Sequence, residues 1–253
     1  MKTHRIFIAG AGGAIGRRLV PQLIAAGHTV FGTTRSSERA ALLQRLGAVP
    51  IVVDIFDRQA LIDAVREARP DTVMHQVTDL PQSLAGGALS EQVLAGNARV
   101  RAEGGRNLVD AALAAQAQAF IAQSLAWLYA ASSPAGQGPH TETDPLDSAG
   151  AGTSKSTVEG VMALEQMTLQ SPPLRGVVLR YGMLYGPGTW NATAAGDVPV
   201  HVDAAAHAAL LALHPQRRGV FNIAEERGFI SAAKAHRELG WQPEYRLADQ
   251  PVR

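Results

Sequence analysis

The sequence predicts an α/β fold with a mostly parallel sheet that helices cover on both faces. Short apolar runs alternate with longer segments of helical periodicity through most of the 253 residues. Parallel strands need crossover helices between them, so this alternation favours a doubly wound sheet. A hydrophobic content of 46% over this length is enough for one sizeable core.

Each predicted strand up to residue 180 is separated from the next by a predicted helix. The strands are RIFIA (5–9), HTVFGTT (28–34), VPIVVD (49–54), DTVMHQV (71–77), AFIAQS (119–124) and RGVVLR (175–180). The helices cover residues 15–26, 36–46, 57–68, 91–115 and 154–170. Pro21 lies inside the first helix and costs it some regularity.

The alternation breaks from Tyr181 onward. Residues 181–199 are rich in Gly and Pro and are predicted to be loop, followed by a helix that Asp203 caps. A short strand (219–224) and a last helix ending at Gly240 complete this region. We expect one domain over residues 1–253, in which residues from about 181 onward form a small embedded substrate-side portion.

Composition and charge exclude several classes of protein. A net charge of +1 gives no general surface for nucleic acid or acidic membranes, and the absence of cysteine removes disulfides and thiolate metal sites. The N-terminal apolar run meets glycines at once, which is unlike a signal peptide or a membrane span. His75, His201 and His207 are scattered, so we expect no metal site, and we expect a cytoplasmic protein.

The first strand-to-helix turn reads GAGGAIG and predicts a dinucleotide site. Gly10, Gly13 and Gly16 allow the backbone to approach a pyrophosphate, and the helix beginning at Ala14 and Ile15 offers free N–H groups to it. Because a strand precedes this turn and a helix follows it, the motif has the context of a Rossmann-type fold.

The end of the second predicted strand bears on the choice of coenzyme. NAD-selective sites place a carboxylate there, but this chain reads TTRSSER, with Arg35 and no acid before Glu38. Arg35, with Arg39 or Arg17 nearby, can pair with a 2′-phosphate, which favours NADP(H) over NAD(H). The alternative is that these arginines form a solvated helix face.

Several further motifs resemble one protein family nearly from end to end. The stretches GAGGAIG, VVDIFD, DTVMHQVTD, LRYGMLYGPG and HVDAAAHAAL are similar to those of extended or atypical short-chain dehydrogenases/reductases, the NAD(P)-dependent epimerase/dehydratase group. The resemblance implies that Asp54 contacts the adenine amine with Ile55 beside it. It also implies that Gln76, Val77 and Thr78 pass under the cofactor and that Asn97 heads the long fourth helix.

The same resemblance implies three catalytic side chains, a Tyr, a Lys four residues later and a Ser or Thr. Lys155 matches the lysine, which binds the nicotinamide ribose, but the tyrosine position then falls on Ala151. The Ser or Thr position falls on Leu125, and Ser124 lies one residue earlier. Since neighbouring side chains on a strand point to opposite faces, Ser124 needs a local shift to substitute.

Several groups can replace the missing tyrosine as the proton donor. Ser124, Tyr181, Tyr185, Tyr129 or water can serve if they reach the substrate, and the tyrosines are otherwise packing or loop residues. Lys155 can pair with Glu159 one turn later.

We predict an NADP(H)-binding oxidoreductase or epimerase/dehydratase-like protein that acts on a small carbonyl or sugar-like substrate. Residues between the YGPG loop and the HVD helix are fewer than the family usually has, which implies a reduced substrate lid. The alternatives are a non-catalytic redox sensor that binds a protein partner, or an inactive structural protein. A homodimer through the long fourth helix and the helix after it is consistent with the resemblance.

Overall fold

The structure is a computed structural model that describes residues 3–81, 83–84, 87–130, 138–150 and 153–248. Its strands are β1 (Arg5–Ala9), β2 (Thr29–Thr34), β3 (Val49–Val52), β4 (Thr72–His75), β5 (Ala119–Leu125), β6 (Arg175–Tyr181), β7 (Met183–Tyr185), β8 (Pro199–His201) and β9 (Gly219–Ile223). Its α-helices are α1 (Ala14–Ala25), α2 (Ser37–Arg45), α3 (Arg58–Ala68), α4 (Glu91–Arg99), α5 (Gly105–Ala114), α6 (Lys155–Leu169) and α7 (Val202–Leu211). In these described ranges no helix is long and apolar enough to cross a membrane.

Seven strands form one sheet in the order β3-β2-β1-β4-β5-β6-β9, and each neighbouring pair is parallel. The chain moves outward from β1 to β3 and then returns to β4 on the other side of β1. The carboxyl ends of β1 and β4 therefore border a crevice at the point where the strand order reverses. This confirms the predicted Rossmann-type doubly wound fold.

Two apolar cores lie on opposite faces of this sheet. One joins α1, α2 and α7 to the sheet and includes the fully buried Trp241, whose Nε1 donates to the Ala204 carbonyl at 2.8 Å. The other joins α3, α5 and α6 to the sheet around Phe7 and Phe120. Both faces of the central strands β1, β4 and β5 are buried, which explains why they read as continuous apolar runs in the sequence.

Side-chain caps set the first residue of most helices. Ser36, Asp57, Ser90 and Ser154 each accept a hydrogen bond from a backbone N–H in the first turn of the helix that follows. The long fourth helix predicted over 91–115 is continuous as α4, a π-helical turn (Val100–Gly104) and α5. The last predicted helix is also mainly π-helical, over Ala235–Leu239.

Two local predictions in the C-terminal region were wrong. The cap of α7 is His201, whose side chain accepts the N–H of Asp203. Asp203 lies inside the first turn, where its buried carboxylate binds Arg18 of α1 and the backbone N–H of Leu247. Residues 181–199 are not all loop, because β7 pairs in parallel with β8 in a small second sheet.

Strand β3 forms one edge of the main sheet. Val49 and Val52 are 48% and 59% exposed there, and Pro50 lies between them. The N–H of Val53 donates to the Thr34 carbonyl of β2 at 3.0 Å, so every second residue of β3 turns its N–H toward β2. Counting back from Val53, Pro50 occupies a position whose amide faces outward.

The alanine-rich α7 provides a test of the packing between helices and sheet. Ala205 is fully buried, so Ala205→Leu inserts three carbon atoms into a filled core. We expect a loss of about 1–3 kcal/mol in the free energy of unfolding, measured by urea denaturation. The matched control is Ala41→Leu on the exposed side of α2, which we expect to change stability by less than about 0.5 kcal/mol. Equal effects of the two changes would contradict this account of α7.

Candidate functional site

The turn between β1 and α1 lies directly against the carboxyl end of β4. Gly10 has φ +92°, and a Cβ at this residue would lie 2.4 Å from the carbonyl oxygen of Gln76. A Cβ at Gly16 would lie 2.4 Å from the carbonyl oxygen of Ala11. Both glycines are therefore required by close backbone approach, and they hold the turn in a tight concave shape.

The N-terminus of α1 differs from those of the neighbouring helices. Gly13 is the N-cap residue of α1 and has no side chain that could cap the helix. The first turn of α1 contains no acidic residue. Gly13 is exposed, while Ile15 and Gly16 are buried against the sheet. The free N–H groups and positive end of this helix dipole thus face the crevice between β1 and β4, where a phosphate fits.

Gln76 forms the wall of the crevice at the end of β4. The residue is 5% exposed and faces the Tyr181 hydroxyl, and neither its amide oxygen nor its amide nitrogen has a hydrogen-bond partner of ordinary geometry among the described residues. Val77 is held by Gln123, whose Nε2 donates to its carbonyl at 2.8 Å, and Thr78 is exposed at the rim. An unpaired buried amide beside a cradle that admits no Cβ fits a polar ligand such as a dinucleotide.

The predicted adenine contacts lie at the end of β3, on the same edge of the sheet. Asp54 is exposed, and its Oδ1 accepts the Phe56 N–H at 2.9 Å in a local turn. Ile55 is buried against Gly104, and its carbonyl accepts Nδ2 of Asn107 at 3.0 Å. Asp54 is therefore an exposed carboxylate beside a buried apolar residue.

Arg35 follows β2 and reaches across the crevice. Its Nη2 lies 3.6 Å from Oδ1 of Asp79, and both side chains are largely exposed. Arg17, in the first turn of α1, lies against Gly188 of the loop after β7. The structure therefore brings the predicted turn residues, Arg35, Asp54 and Gln76 to one edge of the sheet.

Lys155 is the first residue of α6, directly after the capping Ser154. Its side chain is 76% exposed, and its Nζ lies 3.7 Å from Oε1 of Glu159. Ala151, which occupies the tyrosine position in the sequence, lies outside the described residues.

Ser124 and Tyr181 lie on opposite faces of the sheet. Ser124 is 2% exposed on the α6 side, and its hydroxyl donates to Oε1 of Glu165 at 2.5 Å. Tyr181 is 3% exposed on the α1 and α7 side, facing Gln76, and its hydroxyl makes no hydrogen bond of ordinary geometry within the part of the chain that the structure describes. Burial strongly raises the pKa of Tyr181, with a smaller opposing effect of Gln76. The structure does not bring these two predicted proton donors together.

A buried polar network surrounds Ser124. Arg180 donates from Nε and Nη2 to the two carboxylate oxygens of Glu165, at 2.9 and 2.7 Å, and from Nη1 to the Tyr129 hydroxyl at 2.9 Å. The Tyr129 hydroxyl in turn donates to Oδ1 of Asn222 at 2.5 Å. Burial lowers the pKa of Arg180, but the hydrogen bonds and charge of Glu165 outweigh this and raise it. The guanidinium therefore stays charged.

Sequence reasoning missed Glu165 and Arg180, although a signal was present. Glu165 lies on the same helix face as the buried Val158 and Val161, and Arg180 interrupts an apolar strand. A charged residue at a position with apolar periodicity predicts a buried partner.

Two further buried polar residues are His75, at the end of β4, and Arg101, which sequence reasoning missed. Arg101, in the π-helical turn, is 2% exposed, and its Nε and Nη1 have no hydrogen-bond partner among the described residues. Burial lowers the pKa of Arg101 to about 10. Burial also lowers the pKa of the neighbouring His75 to about 4, opposed by the Val100 carbonyl and reinforced by the charge of Arg101. His75 is therefore neutral at physiological pH.

The fold and the glycine turn together define a dinucleotide-binding protein of the Rossmann type. Residues 6–218 match the NAD dependent epimerase/dehydratase family, and the chain belongs to that family.

This chain is similar in sequence to a reductase and similar in fold to two epimerases of known structure. The chain is 36% identical over 262 aligned residues to a 3-diazoavenalumate denitrifying reductase from a Streptomyces species, covering 95% of this chain and 80% of the relative. A UDP-glucose-4-epimerase from Stenotrophomonas maltophila, solved with NAD and formylated UDP-arabinopyranose, has a TM-score of 0.77 at 19% identity, covering 96% of this chain and 94% of the other. A UDP-glucose 4-epimerase from Thermotoga maritima, solved with UDP-glucose, has a TM-score of 0.75 at 21% identity, covering 95% and 94%. The two epimerase structures establish the shared fold.

The buried Glu165–Arg180 pair can be tested against an exposed pair on the same helix. Glu165→Gln leaves the Arg180 charge buried without a counter-ion, and we expect a loss of about 3–5 kcal/mol in the free energy of unfolding. Glu159→Gln removes the exposed partner of Lys155 and is expected to cost less than about 0.5 kcal/mol. Urea denaturation of the two variants measures both values. Similar losses in the two variants would show that the buried pair does not stabilise the fold in this way.

Proposed function

We propose that the protein is an NADP(H)-dependent reductase that delivers hydride to a small electrophile without a tyrosine proton donor. The observation that carries this proposal is Ala151, a methyl group at the position where the family resemblance expects the catalytic tyrosine. Lys155 keeps the matching lysine position, and we assign it to binding of the nicotinamide ribose.

The coenzyme, when bound, supplies the hydride, and the residues of the crevice would hold it. Gly10, Gly13, Ala14, Ile15 and Gly16 provide the pyrophosphate cradle. Asp54 and Ile55 would contact the adenine, and Gln76, Val77 and Thr78 would line the far wall. The buried amide of Gln76 supports this assignment, because it has no hydrogen-bond partner of ordinary geometry among the described residues and a polar ligand would provide one.

Arg35 supports NADP(H) as the preferred coenzyme. No carboxylate occupies the end of β2, and a largely exposed guanidinium stands there instead, beside the crevice. A guanidinium can bind a 2′-phosphate through two parallel hydrogen bonds. The Stenotrophomonas epimerase was solved with NAD, so a preference for NADP(H) would distinguish this chain from that structural neighbour.

The surroundings of the two predicted hydroxyl donors favour a reaction that needs neither of them. The Ser124 hydroxyl donates to a carboxylate inside a buried network, and the Tyr181 phenol is buried with a raised pKa. Reduction of a carbonyl leaves a negative oxygen that must be protonated, which calls for an acid or water at that atom. A substrate that accepts hydride without forming an alkoxide suits this site better.

A carboxylate that bears a diazonium group is the substrate class that we favour, on the evidence of the 36% identical reductase, whose name gives a diazo substrate. Hydride added to the terminal nitrogen of a diazonium group forms an N–H bond and gives a diazene. The diazene then loses N₂ as its hydrogen passes to carbon, so that R–N₂⁺ and H⁻ yield R–H and N₂. The balance is complete without a proton from the protein, consistent with Ala151. Ser124 and Tyr181 then position and pack the strand ends.

We also propose a homodimer through α4, α5 and α6. Met162 and Leu169 support it, because they are 41% and 42% exposed on the outer side of α6. Apolar side chains of this size on one helix face are typical of surfaces that a second copy covers.

Coenzyme preference can be tested by measuring the dissociation constants of NADPH and NADH by fluorescence. We expect the wild type to bind NADPH more tightly, and Arg35→Ala to weaken NADPH binding by about 10–100-fold while NADH changes little. The control is Arg45→Ala in the last turn of α2, which removes an equal charge and should leave both constants unchanged. Unchanged NADPH binding in Arg35→Ala would contradict the assignment.

Turnover can be tested with 4-deuterated NADPH and a panel of diazonium carboxylates, carbonyl compounds and nucleotide sugars. We expect N₂ release and a product with deuterium on the former diazo carbon when the transferred hydrogen is labelled. Ser124→Ala and Tyr181→Phe are expected to retain kcat within about threefold, since no proton is asked of them. Loss of turnover in either variant, with binding and folding intact, would restore that hydroxyl as a proton donor. Tight NADPH binding with no turnover on the panel would favour the redox sensor.

A further inference from the structure

We propose that Asp79 limits the preference for NADP(H) by competing with the coenzyme's 2′-phosphate for Arg35. The proposal rests on the NADP(H) site proposed above and concerns a residue outside the predicted contacts. Arg35 extends from the end of β2 and Asp79 from the segment after β4, and their charged groups meet at 3.6 Å above the crevice.

Asp79 is the fixed member of this pair. Its backbone N–H donates to Oδ1 of Asn97 at 3.0 Å, and Asn97 is buried in α4. Its carboxylate packs so closely on α4 that a Cβ at Gly96 would lie 3.0 Å from Oδ2. Arg35 has no other ion-pair partner among the described residues, and its side chain is 62% exposed. The guanidinium can therefore turn toward a ligand while the carboxylate stays in place.

The segment that carries Asp79 is also held from the opposite side of the crevice. The carbonyl of Pro81 accepts Nε1 of Trp190 at 2.9 Å, and Trp190 belongs to the loop after β7. Contacts to α4 on one side and to this loop on the other keep the carboxylate near Arg35 when a ligand enters.

The position of Asp79 has opposite consequences for the two coenzymes. A 2′-phosphate bound to Arg35 would lie within a few ångströms of a second negative charge, and the repulsion weakens binding at low ionic strength. A ribose 2′-hydroxyl has no charge and can donate a hydrogen bond to the same carboxylate. Asp79 therefore lowers NADPH affinity and maintains NADH affinity, which narrows the selectivity that Arg35 provides.

The test is Asp79→Asn, which keeps the size of the side chain and the backbone contact to Asn97. We expect the ratio of the NADH to the NADPH dissociation constant to rise by about fivefold or more at low salt, and the gain to shrink at about 0.5 M salt. The control is Asp63→Asn at an exposed residue of α3, whose Oδ1 accepts Nε2 of Gln59, and it changes the net charge equally. A ratio unchanged within twofold, or equal to that of the control, would overturn the proposal.

The double variant Arg35→Ala/Asp79→Asn separates this inference from the proposed function. If Asp79 acts through Arg35, the gain from Asp79→Asn is lost when Arg35 is absent. A gain that persists would show that Asp79 acts independently and would overturn the competition. If Arg35→Ala alone leaves NADPH binding unchanged, the NADP(H) site itself is wrong, which is a distinct result.

Discussion

The backbone contact between Gly10 and Gln76 is the constraint on which the site depends. These two backbone segments are so close that a Cβ at Gly10 would overlap the Gln76 carbonyl. The turn after β1 and the end of β4 therefore form one rigid unit. This contact sets the depth of the crevice and aims the uncapped end of α1 into it. Arg35, Asp54 and Asp79 stand around the crevice because they follow parallel strands that end at the same edge.

The Glu165–Arg180 network shows how the other side of the sheet is used. It joins α6, β5, β6 and β9 through groups that all donate or accept inside the protein. Such a network favours one arrangement of its members, because each hydrogen bond left unmade in a dry interior is costly. The Ser124 hydroxyl is part of this network, since it donates to Oε1 of Glu165.

The fold was predictable because its signals are local. The boundaries of β1, α3 and α6 follow from apolar runs and capping residues that act within a few positions of one another. The glycine turn likewise carries its own geometry. The Arg35–Asp79 and Ser124–Glu165 contacts were not predictable, because their partners lie 44 and 41 positions apart in the sequence. The cap of α7 was mistaken because Asp203 resembles a cap by type, while a partner on α1 claims its carboxylate.

The exposed edge of the sheet has a consequence for the behaviour of the protein in concentrated solution. An unpaired edge strand presents amide donors on which another chain can add a strand, and exposed valines make such an edge adhesive. Pro50 removes one of the outward donors of β3, at the middle of a strand of only four residues. The proline thus hinders the addition of a strand from another molecule at this edge of the sheet.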